Sequence, residues 1–550
     1  MTSLAERLDR QLPTTTALVE VENLRVSFGD TEVVRGISFT ARPGECLAIV
    51  GESGSGKSVT ARTLVGLTGS NASVTADRLD LGGADLRHAS ERAWRRLRGR
   101  QVGFVLQDAL VSLDQLRRVG DEVAEPLRLH GWGTRRSRPA KAIELLDAVG
   151  VPEPEVRARQ RPYELSGGLR QRALIASAIA LDPPLLIADE PTTALDVTVQ
   201  AQVLDLLAAA KERGTSIILI SHDLSVVARL ADEVAVMREG EIVEYGAASQ
   251  VLQEPRHEYT RMLLDAIPSE HTRGTRLTGS TARVRRPVDE GVPVLQARNL
   301  TKVFRGPDKV DRTVVDDVSF ELFGGETLGI VGESGSGKTT LARMALAILR
   351  AEAGEVLLRG EPWTALTPGQ RRPLRKQIGV VYQDPLSSFD PRWSVGRILT
   401  DALSTAAHPP SSQTEARQRA VRLLEQVGLG EHHLSAAPLR LSGGQRQRVA
   451  IARALAPEPS VIVCDEPASA LDVSIQAQVL DLLTDLQDDL GVSYLFISHD
   501  LGVIHHMSDR ILVMKDGRVV EHGSADDVFE RPRHPYTRRL LTAVPRLRPA

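Results

Sequence analysis

The chain has 550 residues, of which 42% are hydrophobic and 25% are charged, and its formal net charge is −3 at pH 7. This length predicts at least two domains, and the nearly neutral charge argues against a general nucleic-acid-binding protein, which is usually basic. The two cysteines, Cys46 and Cys464, are too few for a disulfide framework, a zinc site or an iron–sulfur cluster. Both lie in apolar stretches and are expected to be inert core thiols.

The sequence also argues against a membrane-spanning protein. The first 16 residues lack the apolar core of a secretory signal. No stretch of about 20 apolar residues predicts a transmembrane helix. We therefore expect the chain to contact a membrane only through partner proteins.

The sequence repeats itself at a long interval, which indicates a duplicated domain rather than a solenoid. Matching residues are 276 to 281 positions apart (442 − 166 = 276; 338 − 57 = 281), and each half opens with a strand-like alternating stretch, 18–28 and 294–304. We predict an N-terminal extension at 1–16, domains at 17–268 and 294–550, and a flexible polar linker at 269–293. The repeated motifs are GESGSGKS (51–58) and GESGSGKT (332–339), LSGGLRQR (165–172) and LSGGQRQR (441–448), ADEPTTALDV (188–197) and CDEPASALDV (464–473), and ISHDL (220–224 and 497–501).

The first motif fits a phosphate-binding loop, G-x-x-x-x-G-K-[ST], in both halves. Each copy follows an apolar strand and opens a helical pattern, which is the context that the motif requires. The glycines let backbone N–H groups and a helix N-terminus face the phosphates, while the lysine reaches the β- and γ-phosphates and the last hydroxyl binds Mg²⁺. The predicted nucleotide-binding residues are Gly51, Ser53, Gly54, Gly56, Lys57 and Ser58, and Gly332, Ser334, Gly335, Gly337, Lys338 and Thr339.

An aspartate–glutamate pair ends an apolar strand in each half, in LLIADE (185–190) and VIVCDE (461–466). Adjacent carboxylates at a strand end gain little without a cation. We expect Asp189 and Asp465 to hold Mg²⁺. Glu190 and Glu466 are predicted to orient or deprotonate the water that attacks ATP.

Together these motifs resemble the ABC ATPase family over about residues 17–545, and LSGG is the most specific of them. The resemblance implies an α/β fold with two P-loop NTPase domains in tandem, each with a RecA-like core, an antiparallel β subdomain and a helical subdomain. In that family two domains enclose two ATP molecules head to tail. Ser442 and Gly444 would then complete the site of Lys57, and Ser166 and Gly168 would complete that of Lys338.

Other positions match the family residue by residue. Gln107 and Gln383 match the residue that contacts Mg²⁺ and the attacking water, and His222 and His499 match the histidine at the γ-phosphate. Phe28 and Phe304 lie where the family stacks an aromatic ring on adenine, although a phenylalanine at a strand end is equally consistent with core packing. Asp196 and Asp472 match the loop that couples the two sites. Neither half lacks a key residue, so two competent sites are predicted.

Two further features resemble the ATPase subunits of dipeptide, oligopeptide and nickel importers. They are the HPYT-like tails at 256–268 and 533–545, and VGDEVAEPLRLHG at 119–131. An amphipathic helix packing on its own domain would also give the tail pattern. The resemblance implies an ATPase that energises peptide uptake at the cytoplasmic face of a bacterial membrane, with two transmembrane permease subunits and an extracytoplasmic substrate-binding protein, and without nucleic acid.

Several alternatives stay open at this point. The cargo could be nickel or another small solute. A soluble twin-ABC ATPase acting on ribosomes normally has a longer, charged helical linker. A DNA-repair ATPase would need zinc cysteines or coiled-coil arms, and a fused sugar importer would not be expected to carry HPYT-like tails.

Overall fold

The structure is a computed structural model that describes residues 17–107, 112–193, 195–268, 272–279, 288–289, 291–306, 309–469 and 471–543. The chain divides into two compact units, with the boundary between Leu264 and Asp265. The predicted extension 1–16 and much of the predicted linker lie outside the described residues. Within the described part, no helix combines the length and the apolar composition needed to cross a membrane.

The first unit contains two sheets flanked by helices. Its strands are β1 (Val19–Phe28), β2 (Thr31–Ala41), β3 (Cys46–Val50), β4 (Ala72–Thr75), β5 (Arg78–Leu81), β6 (Ala84–Asp85), β7 (Val102–Val105), β8 (Leu185–Asp189), β9 (Ser216–Ser221), β10 (Glu233–Arg238) and β11 (Glu241–Ala247). Its helices are α1 (Lys57–Leu64), α2 (Glu91–Leu97), α3 (Val119–Leu129), α4 (Ser137–Ala148), α5 (Pro154–Arg157), α6 (Gly167–Ala178), α7 (Val197–Glu212), α8 (Leu224–Leu230), α9 (Ala248–Gln253) and α10 (Glu258–Asp265).

The core sheet of this unit has the strand order β11-β10-β3-β9-β8-β7. All its neighbouring strands run parallel except β11, which pairs antiparallel with β10. Every residue of β3, β8 and β9 is buried, as expected for a parallel sheet covered on both faces. Because these three strands are adjacent, the segments that follow their carboxyl ends converge at one edge. The second sheet is antiparallel, in the order β2-β1-β5-β6, with β4 also paired to β1.

The second unit repeats this architecture. Its strands are β12 (Leu295–Arg305), β13 (Asp311–Leu322), β14 (Thr327–Val331), β15 (Ala353–Leu358), β16 (Glu361–Pro362), β17 (Ile378–Val381), β18 (Val461–Asp465), β19 (Ser493–Ile497), β20 (Arg510–Lys515) and β21 (Arg518–Ser524). Its helices are α11 (Lys338–Ala345), α12 (Pro368–Arg371), α13 (Val395–Leu403), α14 (Gln413–Gln426), α15 (Gly443–Leu455), α16 (Val473–Leu490), α17 (Leu501–Met507), α18 (Ala525–Glu530) and α19 (Pro535–Ala543). The sheets are β17-β18-β19-β14-β20-β21 and β13-β12-β15-β16.

A helical subdomain completes each unit. In the first unit α3, α4 and α6 pack together, and α13, α14 and α15 do so in the second. The apolar side chains of α3 recur every four residues, and Val119, Val123 and Leu127 are fully buried. The predicted α/β fold class, with a core sheet, an antiparallel subdomain and a helical subdomain in each unit, is confirmed. The two cysteines are buried free thiols in β3 and β18, as predicted.

Part of the predicted linker is anchored on the second unit rather than flexible. Asp481 of α16 accepts hydrogen bonds from the backbone N–H groups of Leu277 (3.0 Å) and Thr278 (2.9 Å), and from the Thr278 hydroxyl (2.6 Å). Leu277 is 3% exposed and belongs to the apolar core of this unit. One buried leucine and one buried carboxylate therefore hold residues 272–279 although their composition is mostly polar.

Candidate active site

The phosphate-binding loop joins β3 to α1 in the first unit and β14 to α11 in the second, as the motif predicts. Lys57 is 5% exposed. Its Nζ donates to the carbonyl oxygens of Gly51 (2.7 Å) and Glu52 (2.7 Å). Lys338 makes the same pair of hydrogen bonds to its own loop, at 2.7 and 2.9 Å. Each lysine side chain is thus held by two carbonyl oxygens of its own phosphate-binding loop.

The first glycine of each loop is required by both conformation and space. Gly51 has φ +146°, and a Cβ at this position would lie 2.1 Å from the carbonyl oxygen of Met237. Gly332 repeats this, with φ +158° and 2.2 Å to the carbonyl oxygen of Met514. The loop therefore packs against the end of the neighbouring strand, β10 or β20, and any larger residue would displace it.

Two of the three residues expected to bind Mg²⁺ are in contact in each unit. The hydroxyl of Ser58 donates to Oδ1 of Asp189 at 2.9 Å, and Thr339 donates to Asp465 at 3.2 Å. Asp189 is fully buried, and its Oδ2 has no hydrogen-bond partner among the described residues. Burial raises the pKa of both aspartates above the ordinary value. An unpaired buried carboxylate oxygen beside a hydroxyl fits a hard cation, whose charge would reverse that shift.

Glu190 lies at the centre of a polar cluster at the carboxyl end of β8. Its Oε2 accepts hydrogen bonds from the Gln107 amide (2.8 Å) and the Thr193 hydroxyl (3.0 Å), and its Oε1 lies 3.3 Å from Nδ1 of His222. The backbone at Glu190 has φ +48°, a conformation that non-glycine residues seldom adopt. Its N–H donates to the carbonyl of Ile220 in β9, which stabilises this turn.

Glu466 has the equivalent arrangement in the second unit. The Gln383 amide donates to its Oε2 at 3.0 Å, His499 Nδ1 lies 3.1 Å from the same oxygen, and the backbone φ is +52°. Burial alone would raise the pKa of each glutamate. The hydrogen bond and charge of the adjacent histidine, together with the loop lysine and a neighbouring hydroxyl, outweigh burial and hold the pKa below its ordinary value. Burial opposes the charged form of His499, yet Glu466 raises the histidine pKa overall. Both glutamates are therefore ionised at neutral pH.

The two signature serines begin the helices α6 and α15. Ser166 and Ser442 are N-cap residues whose hydroxyls accept from the backbone N–H three residues later. In the second unit the Gln445 side chain also accepts from the Ser442 N–H, which completes a capping box. Leu169 occupies the matching position in the first unit and has no side-chain acceptor.

The signature glycines are explained by close helix packing. A Cβ on Gly168 would lie 2.5 Å from Val199 of α7, and one on Gly444 would lie 2.4 Å from Ile475 of α16. The glycines therefore let the N-terminus of each signature helix approach the helix that follows the aspartate–glutamate pair. That helix begins next to Asp196 or Asp472, and Asp196 caps it through the N–H of Val199.

The two candidate adenine-stacking residues have different surroundings. Phe304 is 43% exposed, and Lys302 Nζ lies 5.2 Å from its ring centroid. Phe28 is half-buried and packs against the apolar core of the first unit. Phe28 is the last residue of β1, and Phe304 is the last but one of β12, both close to the predicted strand ends. Phe304 presents more free ring surface than Phe28, so the two positions are not equivalent.

The HPYT-like tails reach the phosphate-binding loops, which the sequence did not reveal. The hydroxyl of Tyr259, in α10, accepts a hydrogen bond of 3.2 Å from the backbone N–H of Glu52. Tyr536, in α19, accepts one of 3.0 Å from Glu333 in the same way. Each tail thus packs on its own unit. The two tyrosines are 277 positions apart (536 − 259 = 277), so the sequence shows that they are repeat counterparts. Each lies far from its partner in the chain, at 207 and 203 positions, so the sequence does not predict the hydrogen bond.

A glutamate on β11 or β21 holds the start of each tail. Glu244 accepts from the backbone N–H groups of Arg256 (2.9 Å) and His257 (3.0 Å), and Glu521 does the same at the equivalent positions (2.7 and 3.0 Å). Each glutamate precedes the tail histidine by 13 residues (257 − 244; 534 − 521). This repeated spacing is the signal that could have identified the anchor from sequence.

Comparison with known proteins agrees with this geometry. A family model described as ABC transporter matches residues 34–193 and 315–469. A model of the oligopeptide/dipeptide transporter C-terminal region matches 243–291 and 520–550. The glutathione import ATP-binding protein GsiA of Escherichia coli strain K12 is 43% identical over 566 residues, which covers 97% of this chain and 90% of that protein. GsiA of Shigella boydii serotype 4 strain Sb227 has the same identity and coverage.

Solved structures also match part of the chain. The dimeric structure of MJ0796, a bacterial ABC transporter cassette, is 30% identical, with a TM-score of 0.40, and the match covers 42% of this chain and 98% of that one.

Proposed function

This chain belongs to the ABC transporter family, and we propose that it energises the uptake of short peptides of the glutathione class. It is an ABC-type importer ATPase in which both nucleotide-binding domains are fused into one polypeptide. The observation that carries the hydrolytic function is the glutamate cluster, Gln107–Glu190–His222, beside the Ser58–Asp189 pair. An equivalent cluster surrounds Glu466.

ATP is proposed to bind with its phosphates in the loops at 51–58 and 332–339. Lys57 and Lys338 would leave their loop carbonyls for the β- and γ-phosphates. In the first unit Mg²⁺ would be held by Ser58, Asp189 and Gln107. In the second unit it would be held by Thr339, Asp465 and Gln383. The cation would neutralise phosphate charge. The proposed ATPase domains are 17–268 and 294–550.

The glutamates are proposed to accept a proton from the attacking water or to orient it. An ionised Glu190 suits this role, because its lowered pKa keeps it able to accept a hydrogen bond from water at neutral pH. Gln107 and His222 orient the carboxylate from two sides. Glu466 would act in the same way, so both sites are proposed to be competent.

The signature residues are proposed to act across the two domains. The hydroxyl of each capping serine and the N-terminus of its helix would meet the γ-phosphate bound in the other domain. Ser442 and Gly444 would serve the site of Lys57, and Ser166 and Gly168 the site of Lys338. Closure would then depend on ATP, and hydrolysis would release it.

The chain is proposed to work at the cytoplasmic face of a bacterial membrane with two transmembrane permease subunits. An extracytoplasmic protein would bind the cargo. The name of the E. coli relative, a glutathione import protein, and the oligopeptide/dipeptide type of both C-terminal regions support a short peptide as cargo. One fused chain would supply both ATPase domains to one pair of permeases.

Affinity purification of the tagged chain from gently solubilised cells tests this assembly. We expect two multi-span membrane proteins and a peptide-binding protein to co-purify with it. Uptake of labelled glutathione and of a labelled dipeptide, in cells with and without the gene, then identifies the cargo. Co-purification of ribosomes without membrane proteins would refute the importer proposal, and loss of dipeptide uptake alone would refute glutathione.

A further inference from the structure

The tail tyrosine and the loop lysine hold opposite sides of one peptide unit. The carbonyl of Gly51 and the N–H of Glu52 belong to the same planar group. Lys57 donates to that carbonyl at 2.7 Å, and Tyr259 accepts from that N–H at 3.2 Å. Because the group is planar, fixing the N–H direction also fixes the direction of the carbonyl that holds the lysine.

The second unit repeats every part of this arrangement. Lys338 donates to the carbonyl of Gly332 at 2.7 Å, and Tyr536 accepts from the N–H of Glu333 at 3.0 Å. Tyr259 and Tyr536 are 3% and 2% exposed, so water competes little for either hydrogen bond. Two independent copies of one contact argue against an accidental one.

The tyrosines are themselves held in place on two sides. The Arg238 guanidinium lies 5.0 Å from the Tyr259 ring centroid, and Lys515 Nζ lies 5.4 Å from that of Tyr536. Arg238 directly follows Met237, whose carbonyl faces Gly51. Glu244 and Glu521 anchor the start of each tail. Loop, strand end and tail therefore form one continuous set of contacts.

We propose that Tyr259 and Tyr536 are positioning residues that orient the phosphate-binding loop for ATP. When the lysine turns towards the phosphates, the Gly51 carbonyl loses that donor, and the tyrosine still fixes the peptide plane. The loop then keeps its binding conformation throughout the cycle, and less ordering is needed when ATP enters. The inference rests on the proposed ATP sites.

The test compares Tyr259→Phe/Tyr536→Phe with the wild-type full chain in steady-state ATP hydrolysis. The substitution removes only the two hydroxyls. We expect KM for ATP to rise roughly three- to ten-fold, the range for one hydrogen bond at each site, while kcat changes less than about two-fold. The loop contacts phosphate in both the ground state and the transition state. Loss of the hydrogen bond that orients the loop should therefore raise KM rather than lower kcat.

Tyr245→Phe is the matched control. Its hydroxyl bonds to Glu233, at 2.6 Å, and does not contact the loop. We expect its KM to equal that of the wild type. An unchanged KM in the double variant would overturn the proposal, as would equal effects in the control. A fall in both kcat and the thermal unfolding midpoint would assign the tyrosines a merely structural role and also overturn it.

A second comparison tests whether the glutamates that anchor the tails act on the loop through the tyrosines. Glu244→Gln/Glu521→Gln loosens the anchor and should raise KM for ATP on its own. Combined with the two tyrosine substitutions it should add less than about two-fold, because both changes act on the same hydrogen bond. If the KM increase of the combined variant equals the product of the two separate increases, the glutamates do not act through the tyrosine hydrogen bond, and this part of the proposal is overturned. If wild-type chain hydrolyses no ATP, the proposed function fails instead, which keeps the two failures distinct.

Discussion

Gln107 donates a hydrogen bond of 2.8 Å to Glu190 although 83 positions separate them, and Gln383 does the same to Glu466 at 3.0 Å. The two residues of each pair follow neighbouring strands, β7 and β8 or β17 and β18, whose carboxyl ends meet. The glutamine amide is therefore in direct contact with the glutamate carboxylate. Any movement of the glutamine amide would also turn the glutamate carboxylate.

The carboxylates of Glu190 and Glu466 are expected to be needed for ATP hydrolysis but not for ATP binding. Glu190→Gln with Glu466→Gln should lower ATP hydrolysis by roughly 10²-fold or more, because the amide cannot accept the water proton. ATP binding should be retained, since the loop lysines are unchanged. Hydrolysis and nucleotide binding are measured on the same preparation. Glu91→Gln with Glu355→Gln, which changes two carboxylates that pair with arginines away from both sites, is the control and should behave as wild type.

Wild-type turnover in the double variant would remove the proposed base. A loss of ATP binding together with hydrolysis would assign the two glutamates to binding instead.

The proposed head-to-tail arrangement predicts which double variants retain activity. Ser166 is exposed, so Ser166→Arg should block a phosphate site without disturbing the core. Combined with Lys338→Ala it should leave the other site intact, whereas combined with Lys57→Ala it should disable both. Single-turnover hydrolysis at excess enzyme measures the remaining competent sites. The opposite pattern would show that Ser166 serves the site of its own domain.

The His499–Glu466 pair predicts a pH-dependent contribution to stability. The lowered pKa of Glu466 makes its contribution complete above the ordinary value of 4.5, and the raised pKa of His499 makes its contribution complete below the ordinary 6.5. The pair is therefore fully stabilising between these values. It weakens as pH falls through the glutamate pKa or rises through the histidine pKa.

His499→Gln tests this dependence by urea denaturation. The difference in unfolding free energy from wild type should be largest near pH 5.5 and shrink towards pH 8.5, by up to about 1 kcal/mol. His408→Gln, at an exposed position, should show no such change. An equal difference at both pH values would mean that the pair is not ionised.

Much of each site could be predicted from the sequence because its parts are local. The loop at 51–58, the strand that ends at Asp189 and the helix that Ser166 caps are each encoded within a few residues. The contact of Tyr259 with Glu52 joins positions 207 apart, and nothing near either residue specifies it. The positive φ of Glu190 also depends on a neighbouring strand rather than on local propensity.

The predicted linker also depends on a contact between distant residues that local sequence does not predict. The polar composition of residues 269–293 predicts flexibility, but Asp481 and the buried Leu277 hold residues 272–279. Asp481→Asn would leave one buried N–H without an acceptor, at a cost of about 1–3 kcal/mol. Amide hydrogen exchange at residues 272–278 should accelerate at least roughly five-fold.

Asp205→Asn is the matched control, since Asp205 is the repeat counterpart of Asp481 (481 − 205 = 276) and pairs with Arg229. It should leave exchange at 272–278 unchanged. Equal exchange in the Asp481 variant and the wild type would show that Asp481 does not hold the linker.

ATP hydrolysis by this chain is proposed to drive peptide uptake. The most direct measurement is accumulation of labelled glutathione in proteoliposomes that contain the chain and its co-purified permeases, with the binding protein outside and ATP inside. Wild type should concentrate glutathione, and Glu190→Gln/Glu466→Gln should retain roughly 1% of that rate or less. Equal accumulation by both proteins, or accumulation without ATP, would show that ATP hydrolysis by this chain does not drive uptake.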